Sequence, residues 1–182
     1  TIGFDIDKSK VKKAIKMGVC HGLERSDPSI MSKINDFTYG HGADAVIITA
    51  ATKSNDPIEF AGNVLRKKGR VIISGAVPTG FSRENFYKKE LDLKMSTSYG
   101  PGRYDSSYEE DGIDYPIGYV RFTENRNMQT FLDLLSNKKI CIKNLITHNF
   151  KFEDCISAYD KLMKKNESIL GLVIEYDTDV GL

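Results

Sequence analysis

Cysteine is scarce in this chain: Cys20, Cys141 and Cys155 are the only three thiols in 182 residues. They form no Cys-x-x-Cys pair and have no histidine at ligand spacing, so a zinc site built from this chain alone is not expected. An odd number of thiols with no recognisable targeting segment fits a reducing cytosol, and the expected location is cytoplasmic. Charge of one sign is missing as well. Lysine and arginine number 26 against 25 acids, a net charge of +1, without the basic excess that a nucleic-acid footprint requires. The clusters Lys8–Lys13, Arg66–Arg70 and Lys161–Lys165 each lie on or beside a predicted helix and read as solvated helix faces. No apolar run is long enough to cross a bilayer, so no membrane partner is expected.

What is present is a hydrophobic content of 40%, enough for a packed core. The length allows one ordinary domain, or one domain plus part of another. Strand and helix patterns alternate through the first hundred residues. The opening stretch, Thr1–Asp7, predicts a buried strand ending on Asp5, followed by a helix that Ser9 can cap and Gly18 stops. Val19–Leu23 predicts a short strand or turn. Residues 28–37 predict a helix with Asp27 as its cap and Pro28 at its first position. Ala43–Ala50 is a short apolar run suited to a parallel strand covered on both faces. A helix over 57–68, a buried strand Arg70–Gly75, a short helix near 82–88 and an alternating edge strand Leu91–Ser98 follow.

Repeated βα units of this kind imply an α/β fold with a doubly wound parallel sheet. From Tyr99 to Arg121 the chain has no period and is rich in Gly, Tyr and acids, which predicts a functional or interface loop. A helix over 123–136, capped by Thr123 with Met128, Phe131, Leu132 and Leu135 inward, comes next. A strand Leu145–Phe150 precedes a helix over 152–164 with Ile156, Tyr159, Leu162 and Met163 inward, and Gly171–Tyr176 predicts the last strand.

Ligands of open α/β sheets bind outside the carboxyl ends of the strands. The residues expected there are Asp5, Thr49-Ala50-Ala51-Thr52, Gly75-Ala76-Val77 and Ser98-Tyr99-Gly100. Small residues let a planar ring or ribose lie against backbone, and a carboxylate at the end of a second strand accepts hydrogen bonds from ribose hydroxyls. Such an acid lies about 20 residues after a glycine-rich phosphate loop, and here no such loop precedes Asp5. The expectation is therefore a truncated dinucleotide-binding unit. The Asp5 charge would repel a 2′-phosphate and favour NAD over NADP, while Lys8 and Lys10 would weaken that preference. Alternatively, Asp5 is a charge placed at a helix N-terminus. His148 reads either as a proton carrier or as a strand-end histidine held by hydrogen bonds. Arg103 and Arg121 either pair with an anionic substrate or neutralise Asp105, Glu109, Glu110, Asp111 and Asp114.

The ordered series strand-Asp5, helix, Gly42–Ile47, Gly69–Gly75, and Leu145–His148 before a helix with Ala158-Tyr159 resembles the medium-chain, zinc-type alcohol dehydrogenases. The likeness runs from the second strand of their coenzyme domain to their C-terminus. The loop Ser98–Asp105 with Asp114–Arg121 is similar to a subgroup of large two-part oxidoreductases linked with surface-polysaccharide synthesis. The resemblance implies that Asp5 and Lys10 contact the ribose. It implies that Thr49 and Ala50, with Gly75, Ala76 and Val77, border the adenine and nicotinamide sides of the coenzyme. The barrel-like domain that carries the zinc ligands and proton relay in that family has no counterpart here, so any zinc would be held outside this chain and no catalytic residue is assigned within it.

On that basis residues 1–139 are expected to be a partial NAD(P)-binding Rossmann-like domain with the loop 99–121 inserted. Residues 140–182 are expected to pack on the missing catalytic domain. The implied activity of the full-length protein is hydride transfer to or from an alcohol, aldehyde or sugar, with this chain alone inactive. NAD is the expected cofactor, NADP a possible one, and a homodimer through 91–98 is implied. Two other readings carry distinct expectations. An adenosylmethionine-dependent methyltransferase would need an antiparallel strand pair at the end of its sheet. A non-catalytic interaction module would use the Tyr-rich loop and the edge strand for self-pairing.

Overall fold

A computed structural model describes residues 1–164 and 169–177; Lys165, at the end of the third lysine cluster, lies outside them. The chain divides into two units, Thr1–Met128 and Gln129–Leu182. The first runs β1 (Ile2–Asp5), α1 (Lys8–Lys16), β2 (His21–Glu24), α2 (Ile30–Phe37), β3 (Ala43–Ile48), α3 (Asp56–Val64), β4 (Leu65–Ile73), α4 (Arg83–Lys88), β5 (Asp92–Met95) and α5 (Ser106–Glu109). Helix α6 (Glu124–Ser136) follows, and the second unit holds β6 (Ile146–Lys151), α7 (Cys155–Lys164) and β7 (Gly171–Glu175).

Every described ladder is parallel. β1 pairs with β2, from Ile2 opposite His21 to Asp5 opposite Glu24. β4 lies between β3 and β5, with Ile47 opposite Ile72 and Ile72 opposite Lys94. β6 pairs with β7 in the second unit. The alternation of strands and helices thus gives the expected α/β fold, with the strands of the first unit in two sheets, β1–β2 and β3–β4–β5. No antiparallel pair occurs among the described strands, which removes the feature the methyltransferase reading needs.

The helices are placed by local chemistry. Asp7, not Ser9, caps α1, its Oδ1 accepting from the Ser9 N–H at 2.8 Å and from the Ser9 hydroxyl at 2.6 Å. Those two bonds, helped by Lys10, hold the Asp7 carboxyl below the ordinary range. Asp27 makes the same pair of bonds to Ser29, at 2.8 and 2.5 Å, and these with Lys33 lower its pKa to about 2. It therefore caps the turn at Pro28-Ser29, and α2 begins at Ile30.

The helix predicted over 57–68 ends at Val64. Leu65 turns into the core at 2% exposure as the first residue of β4. The Lys89 ammonium takes the carbonyls that a longer helix would have bonded, donating to Gly62, Asn63 and Leu65 at 2.9, 2.7 and 2.8 Å. Burial lowers the pKa of Lys89. A charged donor shared among several acceptors contributes about 1.5–3 kcal/mol per bond at best, so this lysine is a strong stop signal for α3.

Two apolar clusters hold the first unit. One joins Ile48, Ile58, Ala61, Leu65, Val71 and Ile73; the other joins Leu23, Ile30, Ile34, Phe60 and Val64, with Ile2, Phe4 and Val46 packed against it. Each fully buried aliphatic side chain contributes about 1.5–3 kcal/mol, whereas exposed ion pairs such as Lys88–Glu84 and Lys68–Glu90 contribute about 0–1. The clusters decide the fold.

The apolar faces predicted to point inward from α6 and α7 are largely exposed: Met128, Phe131 and Leu132 on α6, and Ile156, Tyr159, Leu162 and Met163 on α7. Ala158 is the buried residue of α7, and α6 has none among its described residues. Helical spacing states which residues share a face, not that another element covers it.

Candidate functional site

Parallel pairing puts the carboxyl ends of β3, β4 and β5 at one end of their sheet. There the chain crosses itself closely. The Ser74 and Gly75 N–H groups both donate to the Ile48 carbonyl, at 2.9 and 2.8 Å, and Thr52 N–H donates to Ala76 at 2.9 Å. Ser96 N–H reaches Ile73 at 2.8 Å, so the exit of β5 stands beside that of β4. Thr49, Ala50, Gly75 and Ala76 are thereby brought together, with Val77 next to them; Thr49, Ala50 and Ala76 are exposed and Val77 is half-buried.

Gly75 has a structural reason of its own. A Cβ there would overlap the Ala50 carbonyl oxygen and lie 2.6 Å from the Thr49 carbonyl carbon. The glycine lets the two strand exits touch. Gly22 plays the same part elsewhere, since its Cβ would lie 2.7 Å from the Ile15 side chain where α1 rests on β2.

Asp5 ends β1 and is half-buried. Its Oδ1 accepts the Asp7 N–H at 2.9 Å, which fixes the carboxylate in the turn before α1. Among the described residues its Oδ2 has no hydrogen-bond partner, so one carboxylate oxygen is left to a donor. Asp5 thus shapes the turn before α1 and leaves one carboxylate oxygen without a partner among the described residues. Lys10 lies exposed in the first turn of α1 close to Asp7, and Lys8 is drawn away to Glu24 at 3.3 Å. Asp5 closes β1 and Lys10 lies on α1, which follows it, while Thr49, Ala50, Gly75, Ala76 and Val77 lie in the loops that leave β3 and β4.

The remaining candidates each have neighbours within the chain. His148 is half-buried in β6 with its Nδ1 2.9 Å from the Thr147 hydroxyl. Arg103 pairs with Glu109 and stands over the rings of Tyr104 and Tyr99, at 4.5 and 5.4 Å. The pair with Glu109 raises the Arg103 pKa further, so of the two readings this arginine fits neutralisation. Arg121 stacks on Phe122 at 4.9 Å.

The aperiodic stretch 99–121 is folded on itself by residues that periodicity cannot pick out. Arg126 forks onto the carbonyls of Val120 and Tyr115, at 2.6 and 2.8 Å, and onto the Asp114 carboxylate. Fully buried Thr123 accepts from Tyr108 at 3.1 Å. Tyr108 stacks on Tyr115, whose hydroxyl donates to Asp105. That bond lowers the Asp105 pKa and raises that of Tyr115. Gly100 and Gly102 sit at φ +102° and +107°, where a side chain is strained. The Gly-Pro-Gly turn was the available signal; the role of Arg126, inside a predicted helix, had none.

Two open clefts of about 490 and 460 Å³ lie away from the strand exits of β3 and β4. Lys67, Phe86 and Glu90 are among the residues lining the first, and Lys8, Gly22 and Asp27 among those lining the second. Among the described residues no three His, Cys, Asp or Glu side chains stand close enough to hold a metal ion, and no helix is long and apolar enough to cross a membrane.

The strand exits of β3, β4 and β5 thus lie together at one end of an open, parallel sheet, and comparison with known proteins identifies the family. A family model described as zinc-binding dehydrogenase matches residues 1–111. The chain belongs to the zinc-binding dehydrogenase family. A sorbitol dehydrogenase of Halalkalibacterium halodurans is 26% identical over 183 aligned residues, covering 96% of this chain and 44% of that protein. Among solved structures, zinc dependent alcohol dehydrogenase 2 from Streptococcus pneumonia superposes with TM-score 0.68 at 22% identity, over 99% of this chain and 45% of its own. A short chain alcohol dehydrogenase from E. coli CFT073, complexed with cofactor NADH, superposes with TM-score 0.66 at 17% identity, over 95% and 43%. These likenesses confirm the α/β coenzyme-domain fold. The chain spans less than half the length of each of these proteins.

Gly75→Ala should lower stability by about 1–3 kcal/mol, because the added methyl meets backbone rather than a movable side chain. Gly118→Ala, where a Cβ meets nothing within 4 Å, should stay within about 0.5 kcal/mol of wild type. Urea denaturation of both variants checks this; equal stabilities would show that the strand exits do not need to touch.

Proposed function

We propose that this chain is the coenzyme-binding part of an NAD-dependent alcohol-dehydrogenase-like oxidoreductase. The observation that carries the reading is Asp5 at the end of a parallel strand, with one carboxylate oxygen bound by Asp7 N–H and the other left open. An acid so placed accepts ribose hydroxyls and repels a 2′-phosphate, which favours NAD over NADP. Lys10, in the first turn of α1, approaches the same ribose in this reading. Thr49 and Ala50, with Gly75, Ala76 and Val77, offer exposed backbone and small side chains along which the adenine and nicotinamide portions can lie.

Bound NAD supplies the hydride acceptor; the residues of this chain bind and orient it. Zinc, where the complete enzyme uses it, would be held outside these residues, and residues 140–182 serve as a surface for that catalytic part. The substrate is an alcohol, aldehyde or sugar carbonyl, and the 182 residues by themselves are not expected to turn it over. Three free cysteines, Cys20, Cys141 and Cys155, support a cytoplasmic setting.

Calorimetric titration of the complete enzyme with NAD and NADP, beside an Asp5→Ser variant, tests the reading. The variant should lose NAD affinity by about 1–3 kcal/mol, the cost of leaving ribose donors unpaired, and should discriminate less against NADP. Equal NAD affinity in both proteins would remove Asp5 from the site.

Edge strand β5 supports a homodimer. Asp92–Met95 is paired on one side by β4 and exposed along its length, and such edges are templates for pairing. Sedimentation over a range of concentrations should show a dimer that Leu93→Lys weakens; a monomer throughout would exclude pairing through this edge.

A further inference from the structure

Asn55 immediately precedes α3, where an asparagine ordinarily accepts a hydrogen bond from the second or third N–H of the helix. It makes no such bond. Its Nδ2 donates to the Gly80 carbonyl at 2.6 Å, and its Oδ1 is buried without a partner among the described residues. Ser54 caps in its place, its Oγ accepting from Asp56 N–H at 3.1 Å. A buried orphan acceptor opposes folding. The gain is the placement of Gly80, in the loop that leaves β4 through Gly75-Ala76-Val77.

Two neighbouring contacts grip the same loop. Glu59, one turn into α3, accepts from Ser82 N–H at 2.5 Å, and Thr52 N–H donates to Ala76 at 2.9 Å. The Asn55 bond lies between them along the loop.

We propose that Asn55 is a positioning residue for the coenzyme: its bond to Gly80 fixes the β4 exit loop so that Ala76 and Val77 keep the shape that meets the dinucleotide. The inference rests on the coenzyme reading above. An asparagine kept for stability alone would cap α3 and satisfy its own oxygen. This one does neither, which separates a positioning role from a structural one.

The test compares wild type, Asn55→Ala and Asn55→Asp by amide hydrogen exchange, thermal unfolding, and titration with NAD and with adenosine. Asn55→Asp restores a cap acceptor but places an acceptor against the Gly80 carbonyl; Asn55→Ala removes the orphan oxygen with the bond. Both variants should unfold no more than about 2 °C below wild type. In both, the amides of Ala76, Val77 and Thr79–Phe81 should exchange about tenfold faster while β3 and β4 keep their protection. NAD affinity should fall about five- to tenfold, with adenosine, which meets only part of the strand-exit surface, losing less. Unchanged exchange in the loop overturns the proposal, as does an unchanged NAD affinity with the loop released, or a loss of protection spread evenly over the chain. If wild type binds no NAD the coenzyme reading itself falls, whereas wild-type binding with an unmoved loop overturns only the role of Asn55.

Discussion

Helix α3 is the constraint on which the first unit depends. Its buried side chains are divided between two cores: Ile58 and Ala61 pack with Ile48, Val71 and Ile73 under the β3–β4–β5 sheet, while Phe60 and Val64 pack with Leu23, Ile30 and Ile34 beside β1–β2. Phe4 meets the edge of Phe60 at 5.0 Å, and the Arg25 guanidinium lies 4.2 Å over the same ring. Arg25 also forks onto Asp56 at the start of α3, at 2.9 and 2.7 Å. No described ladder joins β1 to β3; side-chain packing holds the two sheets in one unit, through this helix and through Val46 of β3, which packs against both clusters. Removing Phe60 or Ile58 would leave a cavity costing about 2–5 kcal/mol, more than any exposed ion pair here contributes.

The same helix organises the strand exits. Its first turn grips the exit of β2 through Asp56 and the exit loop of β4 through Asn55 and Glu59. Its last turn is closed by Lys89, which follows α4. Core packing, helix termini and strand exits are therefore one mechanical system. Gly75 belongs to that system too: its missing Cβ allows Thr49-Ala50 and Ala76 to meet, and the small residues at the strand ends serve the backbone before they serve a ligand.

Much of the fold was legible in the sequence because the relevant physics is local. The apolar runs ending at Ile48 and Ile73 mark parallel strands, although β3 is not covered on both faces as expected, Ile47 being 66% exposed, and the alternation of strand and helix fixes the fold class. Boundaries were less legible where a distant group intervenes. Residues 65–68 carry a helical pattern, yet the Lys89 ammonium ends the helix at Val64 from more than twenty positions away. The faces of α6 and α7 have helical spacing, but spacing carries no information about what covers Phe131 or Ile156. Asp5 stood out by chemistry and position together. Asn55 and Arg126 did not, because their partners, Gly80, Val120, Tyr115 and Asp114, are set by the tertiary fold.

The proposed dinucleotide site joins Asp5, which closes β1, and Lys10 on α1 with Thr49, Ala50, Gly75, Ala76 and Val77 in the loops that leave β3 and β4. Backbone amide chemical shifts recorded across an NAD titration test it most directly. The account predicts saturable shifts at 5–10, 49–52 and 75–77 that share one binding curve, with the α4 cleft around Lys67, Phe86 and Glu90 undisturbed. Shifts confined to one sheet, or centred on that cleft, would contradict it.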